Sequence, residues 1–208
     1  MTARGRFIVF EGGEGCGKST QSALLASSLG AVLTREPGGT AAGELIRRLL
    51  LDPSLPPVVP RAETLLMLAA RAQHVEEVIE PALAAGRDVV CDRFSGSTVA
   101  YQGYGRGLDP GELARLSHWA AGGLEPDLVI LLQVPPDVAL DRRAARTEAG
   151  AGPDRFEGEV SAFFARIDDG FSRLAGEDPD RWRVVDGTGP VEAVAARVVE
   201  VVREALGR

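Results

Sequence analysis

The sequence predicts an α/β fold in which a five-stranded parallel sheet carries helices on both of its faces. Five short apolar runs alternate with stretches of helical periodicity along the 208 residues, as in proteins with parallel sheets. Polar motifs follow the first three runs, at the edge where sheets of this kind bind their ligands. We therefore predict a single domain over residues 1–208, with its site at that edge.

The first apolar run, FIVF at residues 7–10, is predicted to be a strand buried on both faces. Helical periodicity follows over residues 19–29 and stops at a glycine, a common residue after a helix. A second short strand is predicted at residues 31–34, and a helix at residues 43–51 that an Asp-Pro pair ends. The segment that runs on to residue 60 holds four prolines, so we predict a loop there.

The middle of the chain opens with the longest helical pattern, at residues 62–85, which is followed by a glycine. It contains Pro81, a residue expected to kink this helix or to start a new turn. Residues 88–92 form the third predicted strand. Residues 96–107 are rich in glycine and are predicted to mix a helical turn with loop, before a helix at residues 110–121.

The last part of the chain contains the strongest strand signal, DLVILLQV at residues 127–134. A Pro-Pro pair opens the next helix at residues 136–146, and TEAGAGP at residues 147–153 is predicted to be a flexible loop. The chain closes with a helix, a strand and a helix, at residues 158–174, 182–186 and 191–206.

Composition and charge exclude several classes of function. The net charge of −7 and the pI of about 5.0 disfavour non-specific binding to nucleic acids and anionic membranes, so we expect neither partner. No stretch approaches the roughly 20 apolar residues of a membrane helix, and FIVF is too short for a signal peptide. The chain has two cysteines, Cys16 and Cys91, which are too few to stabilise it through disulfide bonds. We therefore expect reduced thiols in a cytoplasmic protein.

A phosphate-binding loop lies between the first strand and the first helix. Residues 12–20 read GGEGCGKST, which matches the P-loop pattern GxxxxGK[ST]. Its glycines let backbone N–H groups turn toward a phosphate, its lysine reaches the β- and γ-phosphates, and Ser19 can ligate Mg²⁺. We therefore predict that ATP is bound by Gly12, Gly13, Glu14, Gly15, Cys16, Gly17, Lys18, Ser19 and Thr20.

Lysine usage supports this interpretation. Lys18 is the single lysine among 23 lysines and arginines, so this position has kept a compact ammonium group where the rest of the chain uses guanidinium. A guanine-specific switch protein would need an Asn-Lys-x-Asp element, and the chain contains no asparagine. The remaining classes are a P-loop kinase and, as the alternative, a nucleotide-binding protein without catalytic activity.

Beyond the P-loop, the motifs resemble those of the bacterial thymidylate kinase family over essentially the whole chain. TREPGGT at residues 34–40 and STVAYQGYGRG at residues 97–107 are the most specific. The other matching segments, in chain order, are ETLLMLAARAQHV, DRF, PDLVILLQVPP and PDRFE. The resemblance implies the P-loop NTPase fold and a homodimeric, Mg²⁺-dependent enzyme that phosphorylates dTMP with ATP, giving dTDP and ADP for dTTP supply.

The resemblance also implies a lid at about residues 142–156. The P-loop has no arginine, and enzymes of this type supply the missing charge from arginines of a mobile lid. The glycine-rich middle of the segment suits a lid that closes and excludes water. The predicted catalytic residues are Lys18, Arg93, Arg142, Arg146 and Arg155.

The resemblance implies an acceptor site as well. Guanidinium groups suit the acceptor phosphate, polar side chains suit a pyrimidine edge, and a tyrosine that blocks a 2′-hydroxyl favours deoxynucleotides. The predicted acceptor residues are Glu14, Arg35, Glu36, Pro37, Arg47, Met67, Arg71, Arg93, Ser97, Tyr101 and Gln102. Ser19 and Asp92 are the predicted metal ligands, and a structural salt bridge is the alternative role for Asp92.

Two positions depart from the family pattern. Met67 stands where relatives commonly stack a phenylalanine on thymine, and Gln133 stands where many have an acidic residue. Methionine still contacts a ring through its sulfur and methyl group. Since the thymine methyl group is worth only about 1–3 kcal/mol of discrimination, dUMP, another monophosphate or a nucleoside remain alternative acceptors. The acceptor phosphate has a second pKa of about 6, so no general base is required.

Overall fold

The computed structural model describes residues 3–148 and 161–207, without the side chains of residues 146–148. In this part of the chain one sheet is formed by five parallel strands in the order β2-β3-β1-β4-β5. The strands are β1 (Phe7–Glu11), β2 (Val32–Arg35), β3 (Val89–Asp92), β4 (Leu128–Gln133) and β5 (Trp182–Asp186). The predicted parallel sheet is therefore confirmed.

Helices cover both faces of the sheet. The α-helices are α1 (Lys18–Leu29), α2 (Ala41–Leu51), α3 (Pro60–His74), α4 (Glu80–Ala84), α5 (Ser95–Thr98), α6 (Pro110–Ala120), α7 (Pro136–Glu148), α8 (Ser161–Glu177) and α9 (Val191–Leu206). Two π-helical segments, Val75–Ile79 and Val99–Gly105, connect α3 to α4 and extend α5. Within residues 3–148 and 161–207, no helix is long and apolar enough to cross a membrane.

Hydrophobic clusters lie on both sides of the sheet, and β1 contributes to each. Ile8 and Phe10 join the cluster beneath α1 and α9, whereas Phe7 and Val9 join the cluster beneath the first π-helical segment and α4. Successive side chains of a strand point to opposite faces, so a central strand needs apolar residues at every position. This explains why FIVF is apolar without alternation.

The helical pattern predicted at residues 62–85 is interrupted just before Pro81, the residue expected to kink this helix or to start a new turn. In a regular α-helix the proline ring would clash with the carbonyl of Glu77. The chain instead widens into the π-helical segment Val75–Ile79, in which the N–H of Glu80 donates to the carbonyl of Val75. The interruption lets α4 begin one residue before the proline.

The glycine-rich stretch is more regular than predicted. Residues 96–107 were expected to mix a helical turn with loop, but α5 and the second π-helical segment keep it helical to Gly105. The N–H of Arg106 donates to the carbonyl of Tyr101 at 2.9 Å, which is the wider hydrogen-bonding step of a π-helix. Helix α7 likewise runs to Glu148, beyond the predicted end at residue 146, and the rest of the predicted loop lies outside the described residues.

The polar motifs converge at the carboxyl edge of the sheet. Strand β1 leads into the P-loop, and β2 leads into the TREPGGT motif. In the sheet register, Phe10 of β1 and Arg35 of β2 are both paired with Asp92 of β3. Three segments far apart in sequence thus meet at one edge, as the parallel topology requires.

Candidate active site

The P-loop, residues 12–20, follows the central strand and turns sharply into α1. Gly12, Gly15 and Gly17 have φ angles of 140°, 82° and 98°, which L-residues with side chains rarely adopt. A Cβ atom on Gly15 would also lie 2.5 Å from the carbonyl oxygen of Ala139 in α7. Gly17 caps α1, so the positive end of that helix faces the loop and favours an anion there.

Lys18 spans the loop from inside and is only 5% exposed. Its Nζ donates to the carbonyl oxygen of Gly13 at 2.7 Å and lies 3.5 Å from Cys16 Sγ. Cys16 is a buried free thiol, as is Cys91. The narrow space around the ammonium group is consistent with the retention of lysine at this position.

Ser19 and Asp92 lie together beside the loop. Ser19 Oγ donates to Asp92 Oδ2 at 2.5 Å, while Asp92 Oδ1 is buried and has no hydrogen-bond partner among the described residues. Asp92 forms no salt bridge within residues 3–148 and 161–207, so the salt-bridge alternative finds no support. Hydroxyl and carboxylate oxygens are the ligands Mg²⁺ prefers, and an orphaned buried oxygen is one that a cation would satisfy. The residues present therefore fit a Mg²⁺ ion.

One cavity brings the predicted acceptor residues and the P-loop together. All eleven predicted acceptor residues line it, and so do Lys18, Ser19 and Asp92. Leu51, Phe94 and Thr98 line it as well, and the sequence analysis missed them. A donor nucleotide on the P-loop and an acceptor in this cavity would therefore meet at a shared opening.

Arg93 crosses the cavity from β3 to the P-loop. Its Nη1 donates to the carbonyl of Gly12 at 3.0 Å and to Ser97 Oγ at 3.1 Å. Its Nη2 donates to Tyr101 Oη at 3.1 Å and to the carboxylate of Glu14. The backbone φ of Arg93 is 74°, an uncommon value for a residue other than glycine. These contacts aim the guanidinium group at the mouth of the P-loop.

Glu11, at the end of β1, supports this arrangement from behind, and the sequence analysis missed it. The buried carboxylate accepts hydrogen bonds from the N–H groups of Phe94 and Ser97 at 3.0 and 2.9 Å, and from Ser97 Oγ at 2.5 Å. Burial raises the pKa of Glu11, although these bonds and the charge of Arg93 act in the opposite direction. The sequence contained one signal for this role, since Glu11 is a charged residue at the end of a strand that is otherwise wholly apolar.

The raised pKa of Glu11 gives a prediction for stability. Because its folded-state pKa lies above the ordinary 4.5, the native state binds the extra proton, and this contribution to stability is lost as pH rises through the folded pKa. Glu11→Gln removes this titration. The melting temperature of the variant, relative to that of the wild type, should therefore increase as the pH is raised from 5 to 8. Thermal unfolding across that range measures it, with the exposed Glu112→Gln as control. A difference in melting temperature between Glu11→Gln and the wild type that stays constant with pH would contradict the prediction.

Arg71 and Glu36 form a buried ion pair at the acceptor end of the cavity. Arg71 Nε donates to Glu36 Oε2 at 2.8 Å, and its Nη1 and Nη2 donate to Ser117 and Thr98 at 3.2 and 3.0 Å. His74 Nδ1 donates to the other oxygen of Glu36 at 3.0 Å. Three of the five guanidinium N–H groups are thus used within the protein, which leaves two donors for a ligand.

The two remaining arginines of the cavity are held by the TREPGGT loop and α2. Arg35 Nη2 donates to both carboxylate oxygens of Glu44, at 2.9 and 3.0 Å. Arg47 Nη1 donates to the carbonyl of Pro37 at 2.9 Å. The Glu36–Pro37 peptide bond that precedes this carbonyl is cis. Both guanidinium groups still line the cavity, where an acceptor phosphate would compete for them.

Of the three lid arginines predicted to be catalytic, only Arg142 has a described side chain. Its Nη2 donates to the carbonyl of Gly187 at 3.0 Å, and its Nη1 lies 3.4 Å from the carbonyl of Cys16 in the P-loop. The side chain of Arg146, and Arg155 with most of the predicted lid at residues 142–156, lie outside the described residues. Arg142 therefore faces the outer side of the P-loop in this structure.

The two positions that depart from the family pattern have ordinary surroundings. Met67 lines the cavity and packs against the cluster formed by α8 and the second π-helical segment. Gln133, at the end of β4, donates from Nε2 to Ser172 Oγ of α8 at 3.0 Å. A polar residue is therefore used at position 133 to join the sheet to α8.

The fold and the site define a P-loop nucleotide kinase. A phosphate loop with its lysine, a hydroxyl–carboxylate pair that fits Mg²⁺, and an acceptor cavity lined by arginines share one edge of a parallel sheet. Comparisons with known proteins are more specific. The family model for thymidylate kinase matches residues 10–198, so the chain belongs to the thymidylate kinase family.

Individual relatives agree with this assignment. The chain is 49% identical to a thymidylate kinase of Alkalilimnicola ehrlichii over 99% of its own length and 95% of the relative's. It is 52% identical to that of Gloeobacter violaceus, over 92% of each chain. The crystal structure of thymidylate kinase from Ehrlichia chaffeensis is similar with a TM-score of 0.78 and 32% identity, over 96% of this chain and 99% of that one.

Proposed function

We propose that this protein transfers the γ-phosphoryl group of ATP to dTMP, giving dTDP and ADP for dTTP synthesis. The shared cavity carries the proposal, because the P-loop lysine and all the predicted acceptor residues open onto it. The family membership supports the same reaction. The described residues give no support to the alternative of a silent nucleotide-binding protein, since Lys18, Ser19 and Arg93 are all in place.

The chemistry is positioning and charge neutralisation. The acceptor phosphate is largely ionised near neutral pH and can attack without a general base. Arg35 and Arg47 hold that phosphate, while Lys18 and Arg93 neutralise the charge that develops on the transferring group. Glu14, bonded to Arg93 and Tyr101, keeps these groups in place and offers an acceptor to a sugar hydroxyl. The lid arginines Arg142, Arg146 and Arg155 complete the proposed set of catalytic residues.

The acceptor panel is the direct test. ADP release from ATP and Mg²⁺ is measured with dTMP, dUMP, dCMP, AMP, GMP and thymidine. A clear preference for dTMP is the expected result. A preference for another monophosphate would keep the class of enzyme and overturn the acceptor. Absence of turnover with every acceptor, together with ATP binding, would support the silent binding protein instead.

We also propose that Ser19 and Asp92 hold Mg²⁺, directly or through water. The ion would neutralise negative charge on the ATP phosphates. Asp92→Asn removes a carboxylate from the pair, so the Mg²⁺ concentration for half-maximal activity should rise about tenfold or more. Titration of activity with Mg²⁺ measures this, with the exposed Asp180→Asn as control. An unchanged Mg²⁺ dependence would remove Asp92 from the metal site.

A homodimer is proposed from the exposed apolar side chains of α2 and α3. Leu45 of α2 and Leu65 of α3 are 66% and 63% exposed, and these two helices pack against each other. An exposed apolar face of this kind is typical of an interface. Leu65→Glu should shift the mass in solution from dimer toward monomer, as measured by light scattering. The control is Val199→Glu on α9, and a monomeric wild type would refute the proposal.

The site of action is proposed to be the cytoplasm. Cys16 and Cys91 are both free and buried. Free thiols of this kind are usual in the reducing cytoplasm.

A further inference from the structure

Gln102, which lines the acceptor cavity, is bound from behind by a buried carboxylate. Its Nε2 donates to Glu63 Oε1 at 2.9 Å. Glu63 belongs to α3, is only 3% exposed and is not among the cavity-lining residues of the described chain. Gln102 itself is 1% exposed and lies on the π-helical segment Val99–Gly105. The amide is therefore fixed between a buried anion on one side and the cavity on the other.

Glu63 is paired with a neighbouring guanidinium group. Arg106 Nε lies 3.4 Å from Glu63 Oε1, and Arg106 Nη2 lies 3.4 Å from Oε2. The guanidinium group also stacks on the ring of Phe163, 4.8 Å from its centroid. Both carboxylate oxygens of Glu63 therefore serve as hydrogen-bond acceptors, one of them shared by Arg106 and Gln102.

The orientation of the Gln102 amide follows from this chemistry. Because Glu63 Oε1 accepts from Gln102 Nε2, Gln102 turns its NH₂ group toward Glu63 and its carbonyl oxygen away. Gln102 Oε1 has no hydrogen-bond partner among the described residues, so it is an acceptor available to a ligand in the cavity. Arg71, on the same cavity, has two N–H donors left.

We infer that Glu63 is the specificity-determining residue that selects an acceptor base with an N3–H donor, by fixing Gln102 with its carbonyl oxygen toward the base. The inference rests on the proposed function. Thymine and uracil carry a hydrogen on N3, whereas cytosine presents an unprotonated N3 acceptor. Two acceptors facing each other in a buried site leave both unsatisfied, which disfavours binding of cytosine. Glu63 acts through Gln102 and need not touch the base.

The test replaces Glu63 with glutamine. A glutamine at position 63 can present its own NH₂ group, so Gln102 becomes free to turn and offer a donor to cytosine N3. Dissociation constants for dTMP, dUMP and dCMP are measured by calorimetry, and weak dCMP binding is measured by displacement of dTMP. The preference for dTMP over dCMP should fall about tenfold or more in Glu63→Gln. The preference for dTMP over dUMP should not change, because both bases carry N3–H.

A double-mutant cycle shows whether Glu63 acts through Gln102. Gln102→Met keeps the length of the side chain and removes the amide. In that background, Glu63→Gln should change the dTMP-to-dCMP preference less than about twofold. The exposed Glu76→Gln is the matched control and should leave both preferences unchanged. Melting temperatures report any loss of folding, and ratios between ligands of one enzyme do not depend on the folded fraction.

The outcomes separate this inference from the proposed function. If Glu63→Gln weakened the binding of all three nucleotides equally, Glu63 would only support the fold, and the inference would be wrong. An unchanged dTMP-to-dCMP preference would overturn it equally. A wild-type enzyme that binds or turns over no thymidine nucleotide would instead refute the proposed function. The inference is supported if Glu63→Gln lowers the preference for dTMP over dCMP and leaves the preference for dTMP over dUMP unchanged.

Discussion

Replacing Lys18 with arginine is expected to lower kcat for dTMP phosphorylation by about 10²–10³-fold, even though the positive charge is kept. The ammonium group lies inside the P-loop, 5% exposed and bonded to the carbonyl of Gly13 at 2.7 Å. A guanidinium group is larger, planar and unable to follow a phosphate through the reaction from this confined space. Lys18→Ala should be at least as damaging, because it also removes the charge.

The arginine variant is the sharper test, because the chain uses arginine at every other basic position. Steady-state kinetics with dTMP and saturating ATP measure the effect, and a melting curve shows that the variant is folded. The matched control is Arg87→Lys, an exposed exchange of the same two residue types, which should leave kcat unchanged. Activity near the wild-type level in Lys18→Arg would mean that charge alone suffices at this position.

The fold could be predicted because its signals are local. The strands are short apolar runs, and the residues that end helices, such as Gly30 after α1, act within their own turn. The last helix has the predicted bounds, Val191–Leu206, and the predicted strand at residues 31–34 is β2 shifted by one residue. The parallel topology then places the ends of β1, β2 and β3 at one edge without further information.

The π-helical segments could not be predicted from periodicity. A π-helix differs from an α-helix by one step in its hydrogen bonds, and that step leaves apolar spacing nearly unchanged over a few residues. The segment at Val75–Ile79 has a partial signal in Pro81, which predicts a kink or a new turn but not a π-helix. The segment at Val99–Gly105 had a misleading signal, because its glycines also suit loops.

The site shows a similar division between motif residues and supporting residues. Cavity residues such as Arg93 and Ser97 lie in short recognisable motifs, so the sequence could place them. Glu11 is hydrogen-bonded to Ser97, 86 residues away in the sequence, and Glu63 to Gln102, 39 residues away. Contacts between residues so far apart leave no local pattern in the sequence. The roles predicted for the site residues, Arg146 and Arg155 included, stay predictions until kinetics test them.

Replacing Arg93 with lysine is the second change with a large expected effect, a fall in kcat of about 10³-fold. Arg93 reaches the P-loop carbonyl of Gly12 and the carboxylate of Glu14 with two different nitrogens. Its guanidinium group also lies over the ring of Tyr101, 4.9 Å from the centroid. Lysine has one nitrogen for these tasks, so it cannot hold this geometry while it stabilises charge on the transferring phosphoryl group.

The kinetic pattern distinguishes the possible roles of Arg93. If it stabilises the transition state, kcat falls while the dissociation constant of dTMP changes little. If it only holds the acceptor phosphate, the KM for dTMP rises and kcat at saturation is retained, which would contradict the prediction. The exposed Arg115→Lys on α6 is the matched control. Since Arg93 also joins Glu14 to the end of β3, melting curves of both variants must accompany the kinetics.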